Sequence, residues 1–232
     1  MRERRPHDRS MGFTLIEILI GVAILAILSA ALTPMVIKYI NDARQSRALS
    51  DSQALGQAIL AFNLDTGRWP VNNDANLNDA GEVSRLVGLP AGQVNANNIP
   101  GGNGAPGAGN WDGGGSGGTA GALEDHMIRN RTAAVNPLYP ASQTAPDPPG
   151  WNGPYLDSVP LDPWGRPYVC NVRYLDGAAV TGVTPAEEDN HAVMCLSAGP
   201  NGQFNTSFND GTQLAAPGGD DIGWPVQGLQ NP

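Results

Sequence analysis

The sequence predicts an α+β fold: one long N-terminal α-helix whose outer half packs on a small antiparallel β-sheet, with long loops between. Three observations predict it. From Ile18 to Ile37 there are twenty residues without a charge, and the apolar run continues into a helical pattern. Two strand-like runs, "PYVCNV" and "HAVMCLSA", carry Cys170 and Cys195 late in the chain. Finally, 30 Gly and 20 Pro among 232 residues demand long irregular connections, and they follow no collagen-like Gly-X-Y period.

The helix comes first. Twenty uncharged residues are about the length that spans a ~30 Å hydrocarbon core. Arg2, Arg4, Arg5 and Arg9 precede the run, which places the N-terminus in the cytoplasm and the body outside. A cleavable secretory signal is the plainer alternative, but the run is longer than a usual h-region and no A-x-A-like site precedes a polar start. A simple signal anchor is another. Neither accounts for Glu17, a carboxylate at the head of the apolar run, where a charge carried toward the bilayer centre needs a partner. Beyond Lys38, Ala48, Leu55, Ile59 and Phe62 recur on one helical face. One helix over residues 13–64 would be a rod of about 78 Å. Its span, about 13–40, is apolar all round and its outer half, 41–64, is amphipathic. Pro34 leaves the Ala30 carbonyl without its usual donor, which predicts a kink. "DTGRWP" then ends the helix, with Gly67 suited to a C-terminal cap and Pro70 preventing continuation.

Residues 71–149 carry less pattern. "EVSRLVGL" (82–89) and "GALEDHMIRN" (121–130) are expected as short helices. Between them an insertion, about residues 98–122, reads as a flexible Gly/Pro-rich surface loop. Its G-x-G-x-x-G match at Gly102, Gly104 and Gly107 follows no strand and contains Pro106, so it is no nucleotide site. "DANLNDAGE" from Asp74 starts like an EF-hand but has Asp79 where glycine is required and Arg85 where glutamate is required. In "GWNGPYLDSVPLDPWGRPYVCNV" (150–172), Pro163 and Gly165 fix turns, and Trp151, Tyr155, Trp164 and Tyr168 supply aromatic faces for packing loops onto the sheet. A ligand groove is the less favoured reading of the same cluster. The two strand-like runs are expected to pair antiparallel. Cys170 and Cys195 would then form a disulfide after export, the alternative being two buried free thiols.

Charge and motif content exclude several functions. The first twelve residues carry four arginines against Glu3 and Asp8, a net of +2, so the remainder holds −11 of a chain total of −9. An acidic body with one lysine argues against a nucleic-acid partner. No C-x-x-C, H-E-x-x-H or G-x-S-x-G occurs among the two Cys, three His and the serines, so no enzyme is expected.

Gly12-Phe13-Thr14-Leu15-Ile16-Glu17 resembles the type III signal of type IV pilins and type II secretion pseudopilins. That resemblance implies a leader over residues 1–12, cut by a prepilin peptidase between Gly12 and Phe13, with N-methylation of Phe13. It implies that Glu17 pairs with a neighbouring subunit's N-terminal amine during assembly, and that Pro34 matches a family proline. Low dielectric makes such an ammonium–carboxylate pair mutually relieving. "DTGRWP" and "WNGPYL…DPWGRPY" are similar to the major pseudopilins in particular. The resemblance therefore implies a pilin-like fold with a globular periplasmic part over 65–232. It implies an inner-membrane, single-pass subunit that polymerises with itself into a periplasmic filament helping protein export. Its partners would be minor pseudopilins, the inner-membrane assembly platform with its ATPase, and membrane lipid. A subunit of an extracellular type IV pilus, or a monomeric membrane-anchored binding protein, are the competing functions. In "SAGPNGQFNTSFNDGTQLAAPGGDDIGW" (197–224), the resemblance places a calcium ion near Asn201, Asp220 and Asp221. Asn201 stands where the family carries an acidic residue, so one ligand charge is lost. The competing reading makes Asn201-Gly202 a hairpin turn and Asp220-Asp221 a solvated tail.

Overall fold

The computed structural model describes residues 12–72, 83–90, 92–102, 111, 119–133, 135–141, 150–175, 193–208 and 217–227. The leader before Gly12, the stretch beginning at Asp74, most of the Gly-rich insertion and the Pro-rich segment 142–149 lie outside them. The chain divides into two compact units, Met1–Ala43 and Arg44–Pro232. Helix α1, Leu15–Thr66, contributes to both.

In the first unit every described residue is exposed, including the large apolar side chains from Phe13 to Ile40. The best 18-residue window has a mean hydropathy of 2.7, and the helix is long and apolar enough to cross a membrane. A helix suits lipid because it satisfies its own backbone polar groups. Pro34 lies within it. Immediately before Pro34, the Thr33 hydroxyl donates to the Ser29 carbonyl at 2.6 Å, keeping that polar group satisfied as well.

The second unit begins where α1 becomes amphipathic. Ala48, Ser52, Leu55, Ile59, Phe62 and Thr66 are buried, at alternating spacings of four and three. Burying Leu55, Ile59 and Phe62 completely, at 0–1 % exposure, contributes about 1.5–3 kcal/mol each. After Thr66, Gly67 adopts φ +64° and its N–H bonds the Asn63 carbonyl at 2.8 Å, closing the helix where a side chain would be strained.

This half of α1 lies on a five-stranded sheet: β1 Val83–Val87, β2 Thr119–Ala122, β3 Val169–Asn171, β4 Val193–Ser197 and β5 Ile222–Gln227. The spatial order is β2-β1-β3-β4-β5. β3 and β4 pair antiparallel with Cys170 opposite Cys195, and the two cysteines are bridged. β1 and β2 are parallel, so the sheet is mixed rather than wholly antiparallel. The long connection between them allows it, since a parallel neighbour needs a crossover of a dozen or more residues.

Two local expectations change. Residues 82–89 do not make a short helix; they hold β1, all five of whose residues are buried. The Val-rich run lies between β2 and β3 with both faces covered, so its pattern lacks the polar side of a surface helix. The second expected helix is divided. Gly121 and Ala122 complete β2, and a π-helical turn follows at Asp125–Arg129. A Cβ on Gly121 would sit 3.0 Å from a Val83 methyl, so a side chain here would press Val83 aside by a few tenths of an ångström.

The two faces of the sheet have separate cores. On the α1 side, Leu55, Ile59 and Phe62 meet Leu86, Cys170, Cys195, Met127 and Tyr139. On the other side no α-helix is present among the described residues; a 3₁₀ turn at Ala96–Asn98 leads into Ile99, which with Trp111, Phe204 and Phe208 covers Val87, Val169 and Leu196. Arg85 is also buried on this side, its guanidinium 5.5 Å from the Phe208 ring centre.

Candidate functional site

The N-terminal motif forms a reciprocal cap. Glu17 Oε2 accepts the Thr14 N–H at 2.9 Å and the Thr14 hydroxyl at 2.8 Å. The Glu17 N–H points back to Thr14 Oγ1 at 3.3 Å. This is a capping box, T-x-x-E, which satisfies the first orphan donors of α1 and sets a carboxylate at the positive end of the helix. Thr14 has no place in the sequence-derived site, although a Thr three residues before a Glu at the head of an apolar run is its signal. Gly12 and Phe13 precede the helix and are exposed, so the expected cut lies outside α1.

The second cluster joins the loops at 161–166 and 197–221. Asp162 is 3 % exposed. Its Oδ1 accepts the N–H groups of Trp164 and Arg166, at 3.0 and 2.8 Å, while Oδ2 takes the Ser197 hydroxyl at 2.7 Å. One carboxylate thus both folds the "DPWG" turn and ties it to the end of β4. Arg166 continues the clamp by donating to the carbonyls of Gly199 and Pro200. Gly202, at φ +76°, leaves the room that Arg166 occupies; a Cβ there would lie 2.3 Å from the guanidinium carbon. Asp162, Arg166 and Ser197 carry the joint that sequence reasoning assigned to aromatic side chains. Trp151, Tyr155 and Tyr168 do pack on the α1-side core, and Tyr168 also donates to Asp51 of α1 at 3.0 Å.

Asn201 and Asp220 meet directly. The Asp220 carboxylate accepts the Asn201 backbone N–H at 3.0 Å and its side-chain amide as well. The same amide reaches Asn205 Oδ1 at 2.9 Å. Asp221 is not a solvated tail, being 8 % exposed. Its Oδ2 accepts the Asn205 and Thr206 N–H groups and the Thr206 hydroxyl, at 2.9, 2.6 and 2.6 Å. Its Oδ1 is buried without a hydrogen-bond partner among the described residues. Burial raises the Asp221 pKa, opposed by the Thr206 and Asn205 bonds. Among the described residues no three His, Cys, Asp or Glu converge as a metal site, so oxygen ligation here would draw on amides and carbonyls besides the two carboxylates.

A third polar group lies under the π-helical turn. His126 is 1 % exposed and its Nδ1 is 2.8 Å from the Tyr139 hydroxyl. The Asn72 backbone N–H also bonds that hydroxyl, so the phenol joins the π-helical turn to the end of the described segment after α1. Burial holds the imidazole neutral and lowers its pKa to about 3.

A lipid-length helix with a capped glutamate at its head, ending on a small disulfide-bridged sheet, defines a pilin-like membrane-anchored subunit. Family comparison makes this more particular. Residues 11–33 match the prokaryotic N-terminal methylation motif, and residues 130–210 match the type II secretion system protein G family. The chain is 30 % identical to the type II secretion system core protein G of Aeromonas hydrophila over 161 residues, 69 % of this chain and 71 % of that protein. Against the namesake of Pseudomonas aeruginosa it is 25 % identical, covering 68 % and 70 %. A type IV major pilin of Neisseria gonorrhoeae is 39 % identical, but over 27 % of this chain and 38 % of the pilin. No solved structure matches. The chain belongs to the type II secretion system protein G family.

Proposed function

We propose that this chain is the major structural subunit of a type II secretion pseudopilus, a periplasmic filament that helps drive protein export. The observation that carries the reading is the G-F-T-L-I-E motif abutting a membrane-length helix, with the Glu17 carboxylate held at its first turn. A prepilin peptidase cuts between Gly12 and Phe13 on the cytoplasmic side, which turns an amide into an ammonium. Phe13 is N-methylated. During assembly Glu17 exchanges Thr14 for the amine of a neighbouring subunit, two charges that each need the other in low dielectric. The subunit waits in the inner membrane with its body in the periplasm. It polymerises with itself and with minor pseudopilins on an assembly platform whose ATPase supplies the energy. Its role is structural rather than catalytic.

Mass spectrometry of the protein recovered from membranes tests the processing: the mature chain is expected to begin at methylated Phe13, and a chain still beginning at Met1 would sink the reading. The Glu17→Ala variant is expected to stay in the membrane fraction and to yield no filaments by electron microscopy, whereas a monomeric binding protein would tolerate the change.

The Oδ1 of Asp221, buried and without a hydrogen-bond partner among the described residues, favours a second property. We infer that the 197–221 loop takes a calcium ion, with Asp221 and Asp220 as charged ligands and amide oxygens of Asn201 and Asn205 nearby. The Asn201 amide must release Asp220 for this, so affinity belongs at the weak end, roughly 10⁻⁴–10⁻³ M as in extracellular modules. At tenfold excess over Kd, binding stabilises by about 1.4 kcal/mol. That is roughly a 3–6 °C rise in melting temperature for a unit of this size. Equal melts with millimolar calcium and with chelator would remove the ion from the account.

A further inference from the structure

A filament of identical subunits needs two different surfaces that fit one another, because a head-to-tail contact repeats without closing. The second unit carries such a pair at opposite edges of its sheet. At one edge is β5, whose Trp224 is 42 % exposed and leans over α1 with Cδ1 3.6 Å from the Cβ position of Gly56. At the other, beyond the ends of β1 and β2, a cleft of about 200 Å³ opens between Leu89, Glu124, Ile128, Asp157, Ser158 and Val159. Four strand spacings of about 4.8 Å separate β2 from β5.

We propose that Trp224 of one subunit seats in this cleft on the next. Three observations select that occupant. The volume is below the roughly 300–1,000 Å³ of small-molecule sites, so it suits a single large side chain. The cleft joins apolar walls to an acidic rim, which matches an indole with its apolar body and one N–H donor. A basic side chain suits it less, since Glu124 is already paired with Arg129 at 2.6 Å. Strand addition, the other way an exposed edge joins a partner, is obstructed because Pro225 follows Trp224 and has no N–H to offer. A neutral knob also lets two acidic bodies meet without placing like charges in the contact.

This contact rests on the filament reading, and cysteine cross-linking in the full chain separates the two. Cys170 and Cys195 are already bridged and are the chain's only cysteines, so introduced thiols report alone. A chain that keeps Trp224 and carries both Pro225→Cys, beside it, and Ser158→Cys is expected to give a reducible ladder of dimers, trimers and higher species from assembled filaments. Either substitution alone should give none. Ser158→Arg, on the exposed rim, should lower filament yield several-fold while membrane levels stay normal. Filaments seen by microscopy without a ladder from the doubly substituted chain would overturn the contact. An unmodified chain that forms no filaments would overturn the filament reading and this contact with it.

Discussion

Replacing Trp111 with alanine is expected to cost about 3–5 kcal/mol, the range for a buried Trp truncated in a core. In a unit of this size that lowers the melting temperature by roughly 6–20 °C. The indole is 1 % exposed. It stacks on Phe204 with ring centres 4.6 Å apart and meets the Phe208 edge at 5.0 Å. Its Nε1–H donates to the Thr206 carbonyl at 2.8 Å. Removing it uncovers the sheet face away from α1 and frees a carbonyl beside the group that holds Asp221. Trp111→Phe keeps most of the apolar contact and loses the hydrogen bond, so its loss should be nearer 1–2 kcal/mol. Denaturant unfolding of the detergent-solubilised chain measures both. A Trp111→Ala chain as stable as the wild type would mean that the residue merely decorates a linker.

Trp111 also shows where the sequence is silent. Glycines surround it, and no periodicity marks a single anchoring residue inside a low-complexity stretch, so the insertion reads as loop throughout. The covering of the second sheet face depends on contacts between residues nearly a hundred positions apart, Trp111 with Phe204 and Phe208, which local pattern does not encode. β1 departs from the helix its sequence predicts for a related reason. A strand buried on both faces loses the alternation that identifies strands, and Arg85, a charge in its middle, argues for a surface until Phe208 is seen beneath it. The N-terminal helix was legible because its burial partner is lipid: every side needs an apolar residue, and composition alone reports that. The Cys170–Cys195 pair was legible because both cysteines lie in short β-rich runs and strand pairing brings them opposite. The Asp162–Ser197 and Arg166–Gly199 bonds were not, since a turn motif announces its own shape and says nothing of what its side chains reach.

Mild acid should destabilise the second unit through His126. The unfolded imidazole titrates near 6.5 and the folded one at about 3, so between those values the unfolded chain binds a proton that the folded chain refuses. Stability is therefore complete above about pH 6.5 and falls by about 1.4 kcal/mol per unit as pH drops toward 3. At pH 4.5 the loss is about 2.7 kcal/mol, roughly 5–11 °C in melting temperature. Asp125 and Asp221 act oppositely. Burial raises both pKa values, so their folded forms take up protons more readily than the unfolded chain and regain some stability at the acid end. Comparing wild type with His126→Gln isolates the histidine, because the carboxylates are common to both. Gln keeps an amide within reach of Tyr139 and cannot titrate. Its absolute stability at pH 7 should be lower, since the neutral ring packs at 1 % exposure against Tyr139. Between pH 6.5 and 4.5 its melting temperature should decline less than that of wild type by most of the 5–11 °C. Parallel pH profiles for the two proteins would show that His126 is protonated in the folded state, against its burial.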